Sequence, residues 1–222
     1  MKLIHRLLVT IVVLVGVSAC TTVEPYDYST LIANQPRSIL VLPPLNNSVD
    51  VDAIPIYMST ITSPLAERGF YVFPVEVVNQ LMVENGLPSS AEMHDVPLAK
   101  LREIIGPDSV MYITINDWGT KYAVFASVTV VDVSARLVDA QTEVLLWSGS
   151  ARAEYDPNQS NQAGLLGAVI GAVVGQVLSK KFDHSPGVAR MANSQLFYAP
   201  GTGLLPGPYQ VIADPVTANS PN

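Results

Sequence analysis

One cysteine, three histidines and two tryptophans are all that 222 residues contain of the side chains most often recruited for chemistry. A lone thiol excludes an internal disulfide, a thiolate metal site and a dithiol redox pair. Basic residues are also scarce, 12 against 19 acidic ones, for a formal net charge of −7. Such a chain, with no basic run, is a poor match for nucleic acid or anionic headgroups. There is no Walker loop, G-x-S-x-G elbow or H-E-x-x-H pair. Gly201-Thr202-Gly203 lies in a proline-rich stretch rather than between a strand and a helix. His94 and His184 stand far apart without a cysteine companion and read as surface residues. No metal and no cofactor is expected, and no nucleic-acid partner.

A membrane-spanning run is missing too. Lys2 and Arg6 precede an apolar stretch, Leu7 to Val17. As a helix it would extend about 17 Å, short of the roughly 30 Å hydrocarbon core. A charged start, a short apolar middle and a small-residue end make a secretory signal peptide over residues 1–19. It ends in Val17-Ser18-Ala19-Cys20, which resembles the bacterial lipobox. The resemblance implies cleavage before Cys20 and lipid on its thiol, with a further acyl chain on the freed amine. Two or three chains anchor firmly where one does not. Residue 21 is Thr rather than Asp, which in the enteric sorting rule favours the outer membrane. Cleavage removes two basic residues and no acid, so the mature chain is more acidic still.

Residues 20–36 are polar and read as a lipidated tether, partly packed near Tyr26 and Tyr28. A domain over 37–199 follows. Ser38 to Pro44 is a continuous apolar run stopped by a double proline, the pattern of a buried strand. Ile54, Met58, Ile61 and Leu65 mark one face of a helix ended by Gly69. Phe70 to Phe73 is a second strand. Two helices follow, the first with Val78, Leu81 and Met82 inward. Strands at 109–116, 121–138 and 143–155 are joined by turns at Asp117-Trp118-Gly119-Thr120 and Ala140-Gln141-Thr142, making an antiparallel meander. Helices are expected at 162–182 and 187–198, and residues 200–222 read as a disordered Pro/Gly-rich tail. The fold class is α/β (α+β): a single mixed sheet with a β-α-β start and a meander, flanked by helices.

Within residues 163–178, Gly167, Gly171 and Gly175 recur every fourth position. Each costs about 1 kcal/mol against alanine in a helix, so the stripe asks for a packing reason. A core helix lying tightly on the sheet is the favoured account. An interface between subunits of a homo-oligomer and direct membrane contact are the others. Carboxylates occur singly, at Asp117, Asp132 and Asp139; alternation puts Asp132 on an exposed sheet face. Trp118 and Trp147 read as lids over the core rather than a ligand face.

The lipobox, the Ser38–Pro44 run, the stretch Leu65-Ala66-Glu67-Arg68-Gly69-Phe70-Tyr71-Val72-Phe73-Pro74-Val75 and the glycine helix together resemble a family of lipoproteins of Gram-negative bacteria. That family includes a genome-derived meningococcal vaccine antigen and has no assigned catalytic residues. More distantly, the strand-helix-strand start resembles the N-terminal domain of TolB. The curli-secretion lipoprotein CsgG and activators of penicillin-binding proteins share its general plan. Those relations are at fold level and imply no function. A lipid anchor, a tether, a compact acidic domain and the lack of a catalytic constellation point to a non-enzymatic envelope lipoprotein that binds partner proteins in the periplasm or at the outer membrane. The competing readings are an oligomeric component of curli-secretion type and a cell-wall hydrolase built on converging carboxylates.

Overall fold

A computed structural model describes residues 25–123, 126–156 and 183–210. Cys20, the expected helix at 162–182 and its three spaced glycines lie outside the described residues. Six strands form one mixed sheet flanked by helices; five run side by side in the order 71–72, 38–41, 109–123, 126–139 and 145–155, and residues 45–46 pair with the third of these.

The apolar run gives β1 (Ser38–Val41), which lies parallel to β3 (Tyr71–Val72) on one side and β4 (Ser109–Ala123) on the other. A strand so enclosed is buried on both faces, which is why its pattern does not alternate. The short β2 (Leu45–Asn46) continues after the two prolines and pairs with Thr114 and Ile115. Upstream, the tether is shorter than its composition implies: residues 29–34 form helix α1 (Ser29–Asn34), whose Leu31 is buried.

Helix α2 (Ala53–Glu67) turns Ala53, Tyr57, Ile61 and Leu65 inward. The buried face is therefore rotated from the expected one, and Ile54 and Met58 sit at its margin. Helices α3 (Val75–Glu84), α4 (Ser90–His94) and α5 (Leu98–Ile104) follow β3. Val78 and Met82 of α3 are buried, but Leu81 is 37% exposed, contrary to the expected inward set. The short α4 falls in a stretch that reads as merely polar. A reciprocal capping box between Ser89 and Glu92 starts it, satisfying two backbone donors that would otherwise be unpaired.

The expected turn at residues 117–120 is absent. Strand β4 runs through it, pairing with β5 (Ala126–Asp139) from Ser109↔Asp139 out to Ala123↔Ala126. The register slips between Ile115 and Asp117, and Gly119 takes a φ of +92°. Turns and bulges draw on the same residue types, so Asp-Trp-Gly-Thr marks an irregularity in a long strand here. Strand β6 (Leu145–Tyr155) completes the meander, and α6 (Ser185–Tyr198) packs back across it.

Two apolar clusters result. The larger joins Ile39, Met111, Ile113, Val133, Leu137 and Trp147 of the sheet to α2 and α6. The smaller, on the opposite face, joins Leu40, Leu42 and Val110 to α3, α4 and α5.

The chain after α6 corrects the expected tail over its first part. Residues 200–210 pack on the domain: Leu204 is buried, and Trp147 Nε1 donates to Thr202 O at 3.0 Å. Gly207 N and Tyr209 N donate to Arg68 O and Gly69 O at 2.6 and 2.9 Å. Gly69 has a φ of +84°, and a Cβ there would collide with the backbone of Gln210. Proline and glycine here fit a close surface crossing rather than an unfolded chain. Residues 211–222 lie outside the described residues.

Candidate interaction surface

Of the residues singled out by sequence, Cys20, Gly167, Gly171 and Gly175 are not among those the structure describes. Both tryptophans are core residues. Trp147 is wholly buried against Phe197, and Trp118 packs edge-on to Tyr57 at 6.5 Å. The Tyr57 hydroxyl and the Trp118 indole N–H have no hydrogen-bond partner among the described residues. Burial pushes the Tyr57 phenol far above its ordinary range.

His94 is not a free surface residue. Its Nε2 lies 2.9 Å from Pro43 O, and its ring meets Tyr112 edge-on at 5.2 Å. Burial holds its pKa below the ordinary value despite that bond. His184 stacks at 4.7 Å on Tyr155. Among the described residues no cluster of His, Cys, Asp or Glu is suited to a metal ion, and no helix is long and apolar enough to cross a membrane.

The carboxylates separate by role. Asp139 is structural: its Oδ1 accepts from the N–H groups of Gln141 and Thr142 and from the Thr142 hydroxyl, closing the β5–β6 turn. Asp117 and Asp132, fifteen positions apart in sequence, are brought opposite one another by the β4–β5 register. Both approach Arg152 Nη1, at 3.6 and 3.3 Å. Arg152 also pairs with Glu154 at 2.9 Å, and Lys121 with Asp117 at 2.6 Å. The Lys121 hydrogen bond is the main reason the Asp117 carboxyl sits below its usual range. The bond to Glu154 raises the Arg152 guanidinium. Asn116 Nδ2 adds a donor to Asp132 at 3.0 Å. Asn116, Ser150, Arg152 and Glu154 are exposed, so among the described residues the meander carries an open charged face behind its buried one. Alternation in the sequence expects an exposed Asp132, whereas it is half-buried beside Arg152; that partnership needs the register.

A second exposed feature lies beyond β2. In the loop from Asn47 to Asp52, Val49 is fully exposed and Val51 is 85% exposed. Yet the loop is tied down. Ser48 N and Oγ donate to Asn46 Oδ1 at 3.0 and 2.7 Å, and Asn46 Nδ2 donates to Asp50 O at 2.7 Å. Asp50 N donates to Ser48 Oγ, and Asp52 N to Asp50 Oδ1. A Cβ on Gly119 would lie 3.3 Å from Asp50 Oδ2, so the loop rests against the β4–β5 arm. The signal in the sequence is the spacing of Asn46, Ser48, Asp50 and Asp52, side chains able to bond backbone two residues on.

A family model described as "Putative lipoprotein GNA1162-like" matches residues 26–209. A Neisseria meningitidis serogroup B (strain ATCC BAA-335 / MC58) protein, "Putative lipoprotein NMB1124/NMB1162", is 39% identical over 212 residues, 94% of this chain and 98% of that one. The crystal structure of lipoprotein GNA1162 from Neisseria meningitidis matches with a TM-score of 0.55 at 46% identity, covering 64% of this chain and 97% of that one. The PelC dodecamer of Paraburkholderia phytofirmans covers 78% of this chain and is covered over 91% of its own, at a TM-score of 0.41 and 12% identity. That likeness is too distant to bear on function. With the match spanning nearly the whole described domain, the chain belongs to the GNA1162-like lipoprotein family.

Proposed function

We propose that this chain is a non-enzymatic lipoprotein, anchored through Cys20 at the outer membrane, that works by binding other proteins of the cell envelope. Membership in a lipoprotein family makes a membrane-anchored envelope protein the coarse assignment. The lipobox at Cys20 supplies the anchor, and Thr21 supports the outer membrane.

The open face of the meander carries the binding reading. Its charges are matched within the sheet rather than poised for proton transfer. A general acid must hold a proton at working pH, whereas Lys121 keeps Asp117 ionised. Asp132 and Glu154 share the Arg152 guanidinium on a flat, solvated surface. Such a face suits recognition through register and charge pattern. Gly167, Gly171 and Gly175 fit the same reading as a helix-packing or subunit contact.

Metabolic labelling with a palmitate analogue tests the anchor: Cys20→Ala is expected to lose the label, and equal labelling of the variant would overturn it. For the domain, Asp132→Asn is the discriminating change. The purified domain is expected to release nothing from isolated cell wall. A cleavage activity that Asp132→Asn removes would establish the hydrolase instead.

A further inference from the structure

The loop from Asn47 to Asp52 joins two properties that seldom occur together. It displays two branched apolar side chains almost wholly to water, and it is held by five hydrogen bonds from its own polar side chains. A further bond, Asn47 N to Ile115 O at 2.9 Å, stitches it to β4. Single exposed apolar residues are ordinary on protein surfaces. A pair fixed in place is different, because the ordering entropy that a contact would cost has already been spent in folding. Three residues past Gly119 on the same arm, Tyr122 is 79% exposed. Aromatic residues of this kind anchor many interfaces.

We infer that the loop bearing Val49 and Val51, with the adjoining β4–β5 arm, is a preorganised docking tip for another envelope protein. The matching surface is an apolar pocket bordered by basic side chains. Asp52 sets the second requirement: it is exposed, and its carboxylate has no partner among the described residues. The same acidity opposes contact with anionic headgroups, and the chain's net charge of −7 opposes self-contact.

The tip is also remote from the anchored end of the domain. Tyr26, the anchored end of the domain, receives a hydrogen bond from Ser148 N. Ser148 is in register with Arg136, and Arg136 with Tyr112. Gly119 is seven residues further along β4, about 23 Å at the usual rise of a strand. The tether from Cys20 to Tyr26 spans at most about 20 Å. Anchor and tip lie toward opposite ends of the sheet.

The inference rests on the protein-binding reading, and one experiment separates their fates. A benzophenone amino acid is placed at Val49, or at Glu103 on the exposed side of α5 as a control, in the full lipidated chain, and intact cells are irradiated. Expected is one discrete protein adduct from position 49 and none from position 103. In the position-49 chain, Asn46→Ala frees the loop without touching the valines and should lower adduct yield about threefold to tenfold, the cost of ordering one such segment. Asp52→Lys should lower it as well, by repelling a basic rim. An adduct of twice the chain mass, or lipid alone on the probe, overturns the tip. So does a yield unmoved by both substitutions. Adducts from position 103 only would sink the tip and spare the binding reading; none from either position, with the chain present at normal level, counts against both.

Discussion

The two faces of the sheet are finished in different ways. One is sealed by α2 and α6 and by the chain beyond α6, so that Ile113, Val133, Trp147 and Phe197 lose all contact with water. The other, among the described residues, is sealed over β1 and the start of β4, where α3, α4 and α5 cover Leu40, Leu42 and Val110. Across the rest of the meander that face is left to Asp132, Arg152 and Glu154. Stability therefore resides mainly on the sealed side. The open side is held by exposed ion pairs, each typically worth less than about 1 kcal/mol, and is free to vary with what it meets.

The largest expected effect concerns the sealing of the first face. Truncation after Ala199 removes buried Leu204 and the Thr202 carbonyl that pairs with Trp147. Loss of a buried leucine together with a partner for a buried donor should cost about 3–5 kcal/mol, read as a clear fall in melting temperature or urea midpoint. A truncated domain as stable as the parent would show that the strap is decoration and that the contrast between faces is overdrawn.

A smaller effect sits where the second seal ends. His94, between Pro43 and Tyr112, has its pKa lowered from 6.5, chiefly by burial. The unfolded chain then takes up the proton first on acidification. The stability due to neutral His94 is complete above about 6.5 and declines as the pH falls through that value toward the lower folded one. Melting temperature should drop between about pH 7 and pH 5, and His94→Gln should flatten the slope. Asp117 acts in a separate window, because its pKa is depressed below 3.8 and its contribution fades only in stronger acid.

The smallest effect belongs to the open face. Arg152→Ala breaks three ion pairs whose side chains are all at least a quarter exposed. Screening by solvent should hold the cost below about 1 kcal/mol in a denaturant titration. A loss on the scale of the truncation would mean that the network supports the fold rather than dressing its surface.

Legibility followed the locality of the signal. A run such as Ser38–Val41 or a face such as Ile61 and Leu65 reports burial directly, and the β-α-β start and the meander were readable from such patterns. Asp117-Trp118-Gly119-Thr120 was not, since its composition serves a bulge as well as a turn and only the partner strand decides. Residues 200–210 misled for a related reason. Their prolines and glycines satisfy a tight crossing over Gly69, and no local pattern distinguishes that from an unfolded tail. The meeting of Asp117 and Asp132 at Arg152 depends on two strand registers at once. The valine loop was legible in part: its Asn, Ser and Asp spacing encodes the ties, but the exposure of Val49 and Val51 follows only from where β2 and α2 leave it.

Tyr26 and Tyr28 have a mechanical consequence. Among the described residues, the first grips on the chain before the sheet are two phenol groups. Tyr28 donates to Gly203 O at 2.6 Å, and Tyr26 accepts from Ser148 N at 2.7 Å. A pull from the N-terminal side of the chain reaches these single bonds before the strand ladder, and each opens without unpairing a strand. They act as a fuse. Tension on the chain before Tyr26 is spent in lengthening the leash by a few residues while the sheet stays closed, so the load does not start at β1, the enclosed strand the chain enters next.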